Sequence, residues 1–334
     1  MTIAVLGGGS WGTTLAILLH ENGHAIRLWE YFAEQAALVA RTRVNEKFLP
    51  GIAIPADIEI GSDLTAAVTG ADLVLFVVPT HTMRATAKAA ADTGCLHDDT
   101  IVVNASKGLE EGTLKRMSQV LADELPCDPS QIFSIIGPSH AEEVSNRIPT
   151  SVVVAGPKGN RIDLVQQIFF RPYFRVYTNT DVIGVEIGVA LKNIIAIAAG
   201  VCDGLGYGDN TKAALLTRGL VEISRLGSAL GARRETFFGL SGIGDLIATA
   251  LSRHSRNRFV GERIGKGESL ESILDNMVMV AEGVRTTRAA VALAAQLGVE
   301  LPIIENIHKV LYDGKDPNEA IIELMNRPLR REMW

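Results

Sequence analysis

Apolar residues are distributed along the chain in two patterns. In the first 180 residues, short continuous apolar runs are separated by stretches whose apolar residues recur every three or four positions. Continuous runs of this kind are typical of parallel strands covered on both faces, and the recurring spacing is typical of amphipathic helices. A helix is predicted over 33–40 and a loop over 43–55. The predicted strands span residues 2–6, 25–29, 72–78, 101–105, 132–136, 151–155 and 174–178.

The pattern changes near Thr180, after which only helical spacing is found. Asn210 is placed to cap the second of these helices, and Gly298 is placed to end the fourth. Strands alternating with helices, followed by helices alone, predict an α/β domain and then an all-α domain. We therefore expect a doubly wound, Rossmann-type sheet over 1–180 and a helical substrate-binding and catalytic domain over 181–334. The predicted helices of the second part span residues 183–200, 210–230, 253–264, 284–297, 302–313 and 317–325.

Length and composition agree with a globular protein of two domains. The chain has 334 residues, of which 47% are hydrophobic and 21% charged. Its net charge of −6 argues against a general nucleic-acid binder, which would need to neutralise phosphates. Cys95, Cys127 and Cys202 lie far apart in the chain, which favours a reducing compartment over a disulfide framework.

The most apolar stretch, residues 182–202, approaches the length of a membrane span. It contains Glu186, Lys192 and Asn193, which are costly in lipid. A buried helix of a globular domain is the better interpretation, and we expect no membrane span. A strand that starts at residue 2 also leaves no room for a signal peptide, so a cytoplasmic location is expected.

Glycines at the end of the first apolar run indicate a dinucleotide site. Gly7, Gly9 and Gly12 have the G-x-G-x-x-G spacing, in which a strand turns into a helix whose N-terminus faces a pyrophosphate. Glu30 ends the second predicted strand, about 20 positions further on, where an acidic side chain would bind a ribose hydroxyl. The alternative is a crossover without a nucleotide, because glycines also mark ordinary turns.

Lys192 is the most informative charged residue. It lies in an apolar helical stretch, where an unpaired ammonium group would be expensive to bury. One interpretation is a structural lysine that reaches the surface or pairs with Glu186. The other is a lysine in a cleft between the domains, with a pKa lowered by desolvation, which donates a proton to a developing alkoxide. Together with a nicotinamide cofactor, the second interpretation implies reduction of a carbonyl.

Other polar groups fall where ligands of such folds bind. Lys107 follows a predicted strand, and it is either a solvated loop residue or a second positive charge at the substrate. Asp245 either caps a helix, pairs with Lys192 or binds a substrate hydroxyl. The basic stretch 253–258 is either a solvated turn or a phosphate site, in which Arg256 would act as a clamp. No metal-binding spacing is found among the seven His residues, and no metal is expected.

Taken together, these residues resemble the bacterial NAD(P)-dependent glycerol-3-phosphate dehydrogenases over nearly the whole chain. The motifs occur in the order found in that family, which makes the resemblance far more specific than the glycine loop alone. They are Gly7-Gly8-Gly9-Ser10-Trp11-Gly12-Thr13, Asn104-Ala105-Ser106-Lys107-Gly108, Gly137-Pro138-Ser139-His140-Ala141, Leu191-Lys192-Asn193, Gly242-Ile243-Gly244-Asp245-Leu246, Ser255-Arg256-Asn257-Arg258 and Glu282-Gly283.

The resemblance implies the reduction of dihydroxyacetone phosphate to sn-glycerol 3-phosphate for phospholipid synthesis. It also implies a cytoplasmic homodimer, with Lys192 as the catalytic proton donor and acceptor. The residues that it places around the substrate are Lys107, Gly137, Ser139, Lys192, Asp245, Ser255, Arg256 and Asn257. Those that it places at the cofactor, with the glycines Gly7, Gly9 and Gly12, are Ser10, Trp11, Lys107, Ala141, Arg256, Val280 and Glu282.

One departure from the family's pattern concerns the choice of cofactor. Many members have a basic residue after the second strand, whereas this chain has Leu28-Trp29-Glu30-Tyr31. Glu30 would repel the 2′-phosphate of NADP and accept hydrogen bonds from the free hydroxyls of NAD. Tyr31 could pack on the adenine. The sequence therefore predicts that NAD(P)H is the cofactor, with NAD favoured over NADP.

Two other functions are compatible with part of the pattern. One is a two-domain dehydrogenase that acts on a hydroxy acid or a sugar acid, against which Lys192-Asn193 and Ser255-Arg256-Asn257 argue. The other is a non-catalytic nucleotide-sensing module. Such a module would keep the glycine loop but would have no reason to keep Lys192 in an apolar helix.

Overall fold

A single mixed sheet forms the centre of the first part of the molecule. The computed structural model describes residues 1–329, 331 and 332. Within these residues the strands are β1 (Thr2–Leu6), β2 (Ala25–Trp29), β3 (Val44–Asn45), β4 (Leu49–Ala53), β5 (Glu59–Gly61), β6 (Leu73–Phe76), β7 (Ile101–Asn104), β8 (Ile132–Ile136), β9 (Thr150–Ala155) and β10 (Phe174–Asn179).

Eight of the described strands form the main sheet in the order β10-β9-β8-β7-β6-β1-β2-β5. The strands run parallel except for the antiparallel pair β8 and β9. All four residues of β6, and all four of β7, are buried, because helices cover both faces of the sheet. The fold class predicted from the apolar runs is therefore confirmed for this part of the chain.

Helices cover the sheet and then make up the rest of the described chain. Those in the first part are α1 (Ser10–Glu21), α2 (Ala33–Thr42), α3 (Leu64–Val68), α4 (Met83–Asp92), α5 (Met117–Glu124), α6 (Ala141–Ser145) and α7 (Asn160–Phe169). Those that follow are α8 (Val182–Gly204), α9 (Asp209–Ala229), α10 (Asp245–Leu251), α11 (Arg256–Gly265), α12 (Leu270–Asp275), α13 (Glu282–Leu297), α14 (Pro302–Tyr312) and α15 (Pro317–Met325).

The structure corrects several boundaries. The segment predicted as a loop, 43–55, contains the antiparallel pair β3 and β4. The helix predicted from residue 253 begins at Arg256, because Ser255 caps it by accepting from Arg258 N. Asn210 does not cap α9, which begins one residue earlier after Gly208. Gly298 ends α13 in a left-handed conformation, φ 65°, as predicted.

The long helix α8 is the core of the helical part. Asp181 caps its N-terminus, because the carboxylate accepts from Gly184 N and also from the Arg233 backbone N–H. The helix is buried along most of its length. Among the described helices, it is long and apolar enough to cross a membrane, but 89% of its most apolar stretch is buried within the protein. The prediction of a buried core helix is confirmed.

The sheet and α8 come together at one edge. Leu6, Phe76 and Asn104, the last residues of β1, β6 and β7, lie in register, so the loops that follow these strands are neighbours. Val185 and Val189 of α8 pack in one apolar cluster with residues of β8 and β9. The helix therefore stands against the carboxyl edge of the sheet, where ligands of open α/β folds bind.

Candidate active site

The glycine loop turns β1 into α1 at this edge. Gly7 has φ of +120°, and a Cβ there would lie 2.5 Å from Val77 O. A Cβ on Gly12 would lie 1.9 Å from Gly7 O, so the helix can pack this closely only with glycine. A Cβ on Gly9 would meet no atom within 4 Å, so open space lies in front of the loop. Because α1 begins at Ser10 without a side-chain cap, its first N–H groups are available to an anion.

Two side chains next to the loop have distinct roles. Asn45 of β3 is 1% exposed and donates to Gly8 O at 2.7 Å and to Thr13 Oγ1 at 2.9 Å, which holds the loop from behind. Trp11 packs near Phe174, with 6.3 Å between ring centroids. Its indole Nε1 is buried without a hydrogen-bond partner among the described residues. A buried donor of this kind is rare unless a ligand or water completes it.

Glu30 lies beside the glycine loop and is buried. It is 8% exposed, and its Oε1 accepts from Phe32 N at 3.1 Å. A Cβ added to Gly8 would lie 2.6 Å from Glu30 Oε2. Tyr31 is 72% exposed, with its ring edge-on to Trp29 at 6.0 Å. The structure therefore places a buried carboxylate against the loop, followed in the chain by an exposed aromatic ring.

Two lysines from different parts of the chain meet at Asp245, the first residue of α10. Lys192 Nζ donates to Asp245 Oδ1 at 2.9 Å, and Lys107 Nζ donates to Oδ2 at 3.1 Å. Lys192 also donates to Thr249 Oγ1, one turn further along α10. Lys192 is 4% and Asp245 2% exposed. Pairing of Lys192 with Glu186, one of the two structural interpretations, is therefore wrong.

The electrostatics of this cluster suit proton transfer. Burial lowers the pKa of Lys192 to about 8; the charge of Lys107 acts in the same direction, and the charge of Asp245 opposes both. Burial would raise the pKa of the Asp245 carboxyl, but the two ammonium groups hold it below its ordinary value. At neutral pH the cluster therefore contains a carboxylate and a lysine that can both give and take a proton.

The turn after β8 completes the surroundings of Lys107. Lys107 Nζ donates to Gly137 O at 2.8 Å and lies 3.5 Å from Ser139 Oγ. Ser139 Oγ also donates to Gly137 O at 3.0 Å. His140 Nε2 lies 3.3 Å from Ala248 O, and burial lowers the pKa of this imidazole. The structure thus brings the predicted substrate residues Lys107, Gly137, Ser139, Lys192 and Asp245 into one cluster.

The predicted phosphate residues stand at the start of α11. Ser255 is its N-cap, which is the structural role of a serine at this position. Arg256 is exposed, and no carboxylate of the described residues is within ion-pairing distance of its guanidinium. Asn257 differs, because both ends of its buried amide are already engaged: Nδ2 donates to Asn193 Oδ1 at 3.0 Å, and Oδ1 accepts from Gly283 N at 2.9 Å.

The remaining predicted cofactor residues lie where the helical part meets the sheet. Glu282, the first residue of α13, accepts through Oε1 from Thr80 N at 3.0 Å and through Oε2 from Thr80 Oγ1 at 2.5 Å. Val280 lies two positions before it and is half-buried. Ala141 begins α6, and its carbonyl accepts from Thr14 Oγ1 of α1 at 3.4 Å. Thr80 follows β6, so it ties the helical part to the carboxyl edge.

These observations fit a dinucleotide. The open space in front of Gly9, the uncapped start of α1 and the unpartnered Trp11 Nε1 belong to three consecutive residues, where the glycine loop becomes α1. No group of three His, Cys, Asp or Glu side chains close enough to hold a metal ion is found among the described residues.

Comparison with known proteins identifies the family. Residues 2–161 match the profile of the NAD-dependent glycerol-3-phosphate dehydrogenase N-terminus, and residues 181–322 match that of the C-terminus. The chain belongs to the NAD(P)-dependent glycerol-3-phosphate dehydrogenase family.

Relatives of this family cover the whole chain. A glycerol-3-phosphate dehydrogenase [NAD(P)+] of Prosthecochloris aestuarii is 50% identical over 334 residues, which is 100% of both chains. That of Geobacillus thermodenitrificans is 51% identical over 99% of this chain and 96% of its own. The crystal structure of glycerol-3-phosphate dehydrogenase from Coxiella burnetii superposes with a TM-score of 0.93, at 35% identity, over 98% of this chain and 99% of that one.

Membership in the glycerol-3-phosphate dehydrogenase family decides against the hydroxy-acid and nucleotide-sensing alternatives. The structure also adds residues that the sequence did not single out. Thr249 contacts Lys192, and Asn45 holds the glycine loop. Asn193, which the sequence had paired with Lys192, contacts Asn257. Thr249 lies four positions after Asp245, so both residues lie on one face of α10. This spacing could have indicated Thr249 as a site residue from the sequence.

Proposed function

We propose that this protein is an NAD(P)-dependent sn-glycerol-3-phosphate dehydrogenase, which interconverts dihydroxyacetone phosphate and sn-glycerol 3-phosphate. The observation that carries the proposal is the cluster of Lys192, Lys107 and Asp245 beside the dinucleotide loop. A buried lysine with a lowered pKa can give its proton to a carbonyl oxygen that becomes an alkoxide, and a second cation beside it stabilises the developing negative charge. Nearly full-length relatives bear the name of this enzyme.

We assign the proton transfer to Lys192. When bound, the reduced nicotinamide supplies a hydride to the carbonyl carbon of dihydroxyacetone phosphate. The Lys192 ammonium donates its proton to the carbonyl oxygen, and the amine takes a proton back from solvent. In the reverse direction, the neutral amine accepts the hydroxyl proton. Asp245 holds Lys192 in place through Oδ1, and Thr249 accepts a second hydrogen bond from the same ammonium group.

We assign the substrate's other groups to the residues around this cluster. The exposed Arg256 binds the phosphate as a bidentate clamp, beside the Ser255 cap at the start of α11. Lys107 adds a second positive charge near the carbonyl, with Gly137 and Ser139 beside it. Asn257 takes part as a support for the site, because its amide already joins α8, α11 and α13. The remaining N–H of its Nδ2 is still available to a substrate oxygen.

We assign the dinucleotide to the glycine loop and its neighbours. The N–H groups at the start of α1, with Ser10 and Trp11, hold the pyrophosphate and the adjacent part of the cofactor. From the helical part, the contributing residues are Arg256, Val280 and Glu282, with Lys107 and Ala141 from the sheet side. In this assignment residues 1–180 form the dinucleotide-binding domain and 181–334 the helical domain that carries Lys192, and each domain contributes residues to the binding of both ligands.

We further propose that NAD(H) is preferred to NADP(H). Glu30 is buried beside Gly8, so its charge cannot be screened well, and a 2′-phosphate there would be repelled. We expect kcat/KM for NADH to exceed that for NADPH by at least about tenfold, or about 1.4 kcal/mol. In Glu30→Gln the ratio should fall, whereas Glu34→Gln, an exposed position on α2, should leave it unchanged. A wild-type preference for NADPH would contradict the assignment.

The surroundings of the enzyme complete the proposal. We infer a cytoplasmic homodimer that supplies glycerol 3-phosphate for phospholipid synthesis. Sedimentation equilibrium of the purified protein tests the dimer, and a mass equal to one chain would exclude it.

The decisive experiment follows the oxidation of NADH with dihydroxyacetone phosphate as the substrate and, separately, the reduction of NAD+ with 3-hydroxy acids. We expect turnover with the phosphate substrate alone. Lys192→Ala should lower kcat by about 10²–10⁴-fold, which is the usual contribution of a general acid. Its NADH affinity, measured by fluorescence, should stay close to that of the wild type. Undiminished turnover in this variant would refute the role of Lys192.

A further inference from the structure

Glu186 is a buried carboxylate that the proposed chemistry does not use. It lies on α8 and is 3% exposed. Its Oε2 accepts from Arg116 Nη1 at 2.7 Å and from Ser118 Oγ at 2.6 Å. Its Oε1 accepts from Ser118 N at 3.0 Å, Ser134 Oγ at 2.8 Å and Asn104 Nδ2 at 3.4 Å. Both oxygens are thus surrounded by donors, as a buried charge requires.

All of these donors belong to the other part of the molecule. Asn104 ends β7, Ser134 is in β8, and Arg116 and Ser118 are at the start of α5. Glu186, by contrast, is in the first turns of the helix that carries Lys192. The carboxylate therefore joins the catalytic helix to three elements of the sheet domain through directional hydrogen bonds.

The same contacts reach the second lysine. Asn104 Oδ1 accepts from Ser106 N at 2.9 Å, and Asn104 Nδ2 donates to Ser106 O at 3.1 Å. The Asn104 side chain therefore shapes the turn that leads directly to Lys107. Glu186 accepts from this amide, so it contacts the support of Lys107 while sharing a helix with Lys192.

Apolar packing alone does not define where α8 stands on the sheet. Val185 and Val189 pack there with residues of β8 and β9, and apolar contacts are non-directional, unlike the hydrogen bonds to Glu186. Glu186 is six residues before Lys192, about 9 Å along the helix axis. A rotation or shift of α8 at Glu186 would therefore move Lys192 by a similar amount.

We propose that Glu186 is a positioning residue, which sets α8 against the sheet so that Lys192 and Lys107 converge on Asp245. The proposal rests on the proposed function only for its effect on turnover. The position of the two lysines at Asp245 does not depend on which substrate is used.

The test compares Glu186→Gln with a matched control, Glu222→Gln. Glu222 is also buried, at 4% exposed, and it also accepts at both oxygens, from Ile303 N at 2.8 Å and Ile304 N at 3.2 Å. These contacts join α9 to α14 within the helical part, so the control changes a buried, hydrogen-bonded carboxyl group without touching the sheet. Ser134→Ala, which deletes one donor to Glu186 and keeps the Arg116 pair, serves if Glu186→Gln does not fold.

We expect Glu186→Gln to lower kcat by about tenfold, since a displacement of the order of 1 Å in a catalytic group costs up to about 100-fold. Ser134→Ala should lower kcat by about threefold, on the same scale. The dissociation constant for NADH should stay within about twofold of the wild type, because the glycine loop lies on β1 and α1. Glu222→Gln should leave kcat unchanged.

A second measurement needs no substrate. Acetic anhydride labels lysines, and peptide mass spectrometry reports the rate at Lys192 and Lys107. We expect faster labelling of Lys192 in Glu186→Gln than in the wild type or in Glu222→Gln. Equal labelling rates, or a loss of kcat that is the same in Glu186→Gln and Glu222→Gln, would overturn the proposal. If the wild type itself does not reduce dihydroxyacetone phosphate, the proposed function fails, while the labelling rates still decide the role of Glu186.

Discussion

Replacing Lys192 with methionine should lower kcat by about 10²–10⁴-fold and at the same time stabilise the protein. Lys192 is 4% exposed, and methionine is an unbranched apolar side chain of similar length that fits the same space. The change removes one of the two ammonium groups at Asp245. Lys107 remains at 3.1 Å from Asp245 Oδ2, so the carboxylate keeps a counterion.

The magnitude follows from the pKa of Lys192. Burial and the nearby Lys107 lower it from 10.5 to about 8. At about 1.4 kcal/mol for each pH unit, holding the charged form in the folded state costs about 3 kcal/mol. Below pH 8 this cost is fully present, because Lys192 is protonated in both the folded and the unfolded chain. Between pH 8 and 10.5 the folded state loses the proton first, so the wild type gains stability as the pH rises.

Urea unfolding, followed by circular dichroism at several pH values, measures the difference between the two proteins. At pH 7 we expect the free energy of unfolding of Lys192→Met to exceed that of the wild type by about 3 kcal/mol. The excess should shrink steadily from pH 8 to pH 10. Other groups that titrate in this range do so in both proteins, so their effect cancels in the difference.

Asp245→Asn, a change in the same cluster, should alter the free energy of unfolding in the opposite direction. It leaves the buried ammonium group of Lys192 and the partly buried one of Lys107 without their carboxylate, and it should lower the free energy of unfolding by about 3–5 kcal/mol at pH 7. Two results would refute the reasoning. One is a Lys192→Met protein that is less stable than the wild type at pH 7. The other is a stability difference that does not change between pH 8 and pH 10.

Three further outcomes are expected. Gly12→Ala places a Cβ 1.9 Å from Gly7 O, so it should lower the free energy of unfolding by about 1–3 kcal/mol and weaken NADH binding, as calorimetry would show. Thr249→Val removes a hydrogen bond that favours the charged form of Lys192, so its pKa should fall and the alkaline limb of the reductive pH profile should move to lower pH. In the wild type, kcat for reduction should decline above pH 8 and kcat for oxidation should rise. Lys192 must be protonated to act as the donor in reduction and neutral to act as the acceptor in oxidation. Rates that do not depend on pH would count against Lys192.

Local patterns determined most of the first part of the fold. The buried runs of β1, β6, β7 and β8 are continuous apolar segments, and the glycine loop follows the first of them. Hydrophobic spacing, Ser255 as a cap and Gly298 as a stop mark helices, because each acts on its own neighbouring backbone. The buried position of α8 could likewise be read from its composition.

Short or exposed elements escaped the same analysis. β5 has three residues at the edge of the sheet, and β3 and β4 form a hairpin within a segment rich in loop signals. Helices such as α3, α6 and α12 have five or six residues, which is too few for a periodic pattern to appear. Asn210 and Gly208 are two positions apart, which is within the usual uncertainty of a helix end.

The residues of the site, too, could be predicted from the sequence only in part. From the sequence, Lys192 was expected in an apolar helix, either as a structural lysine or as a lysine in a cleft, and Lys107 was placed at the end of a strand. It did not determine the partner of Lys192, because Asp245 lies 53 residues further along the chain. Glu186, which was the nearer carboxylate in sequence, turned out to be bound by donors from the sheet. Six positions along a helix put two side chains on different faces, so only the packing of α8 against the sheet and α10 decided which carboxylate each cation meets.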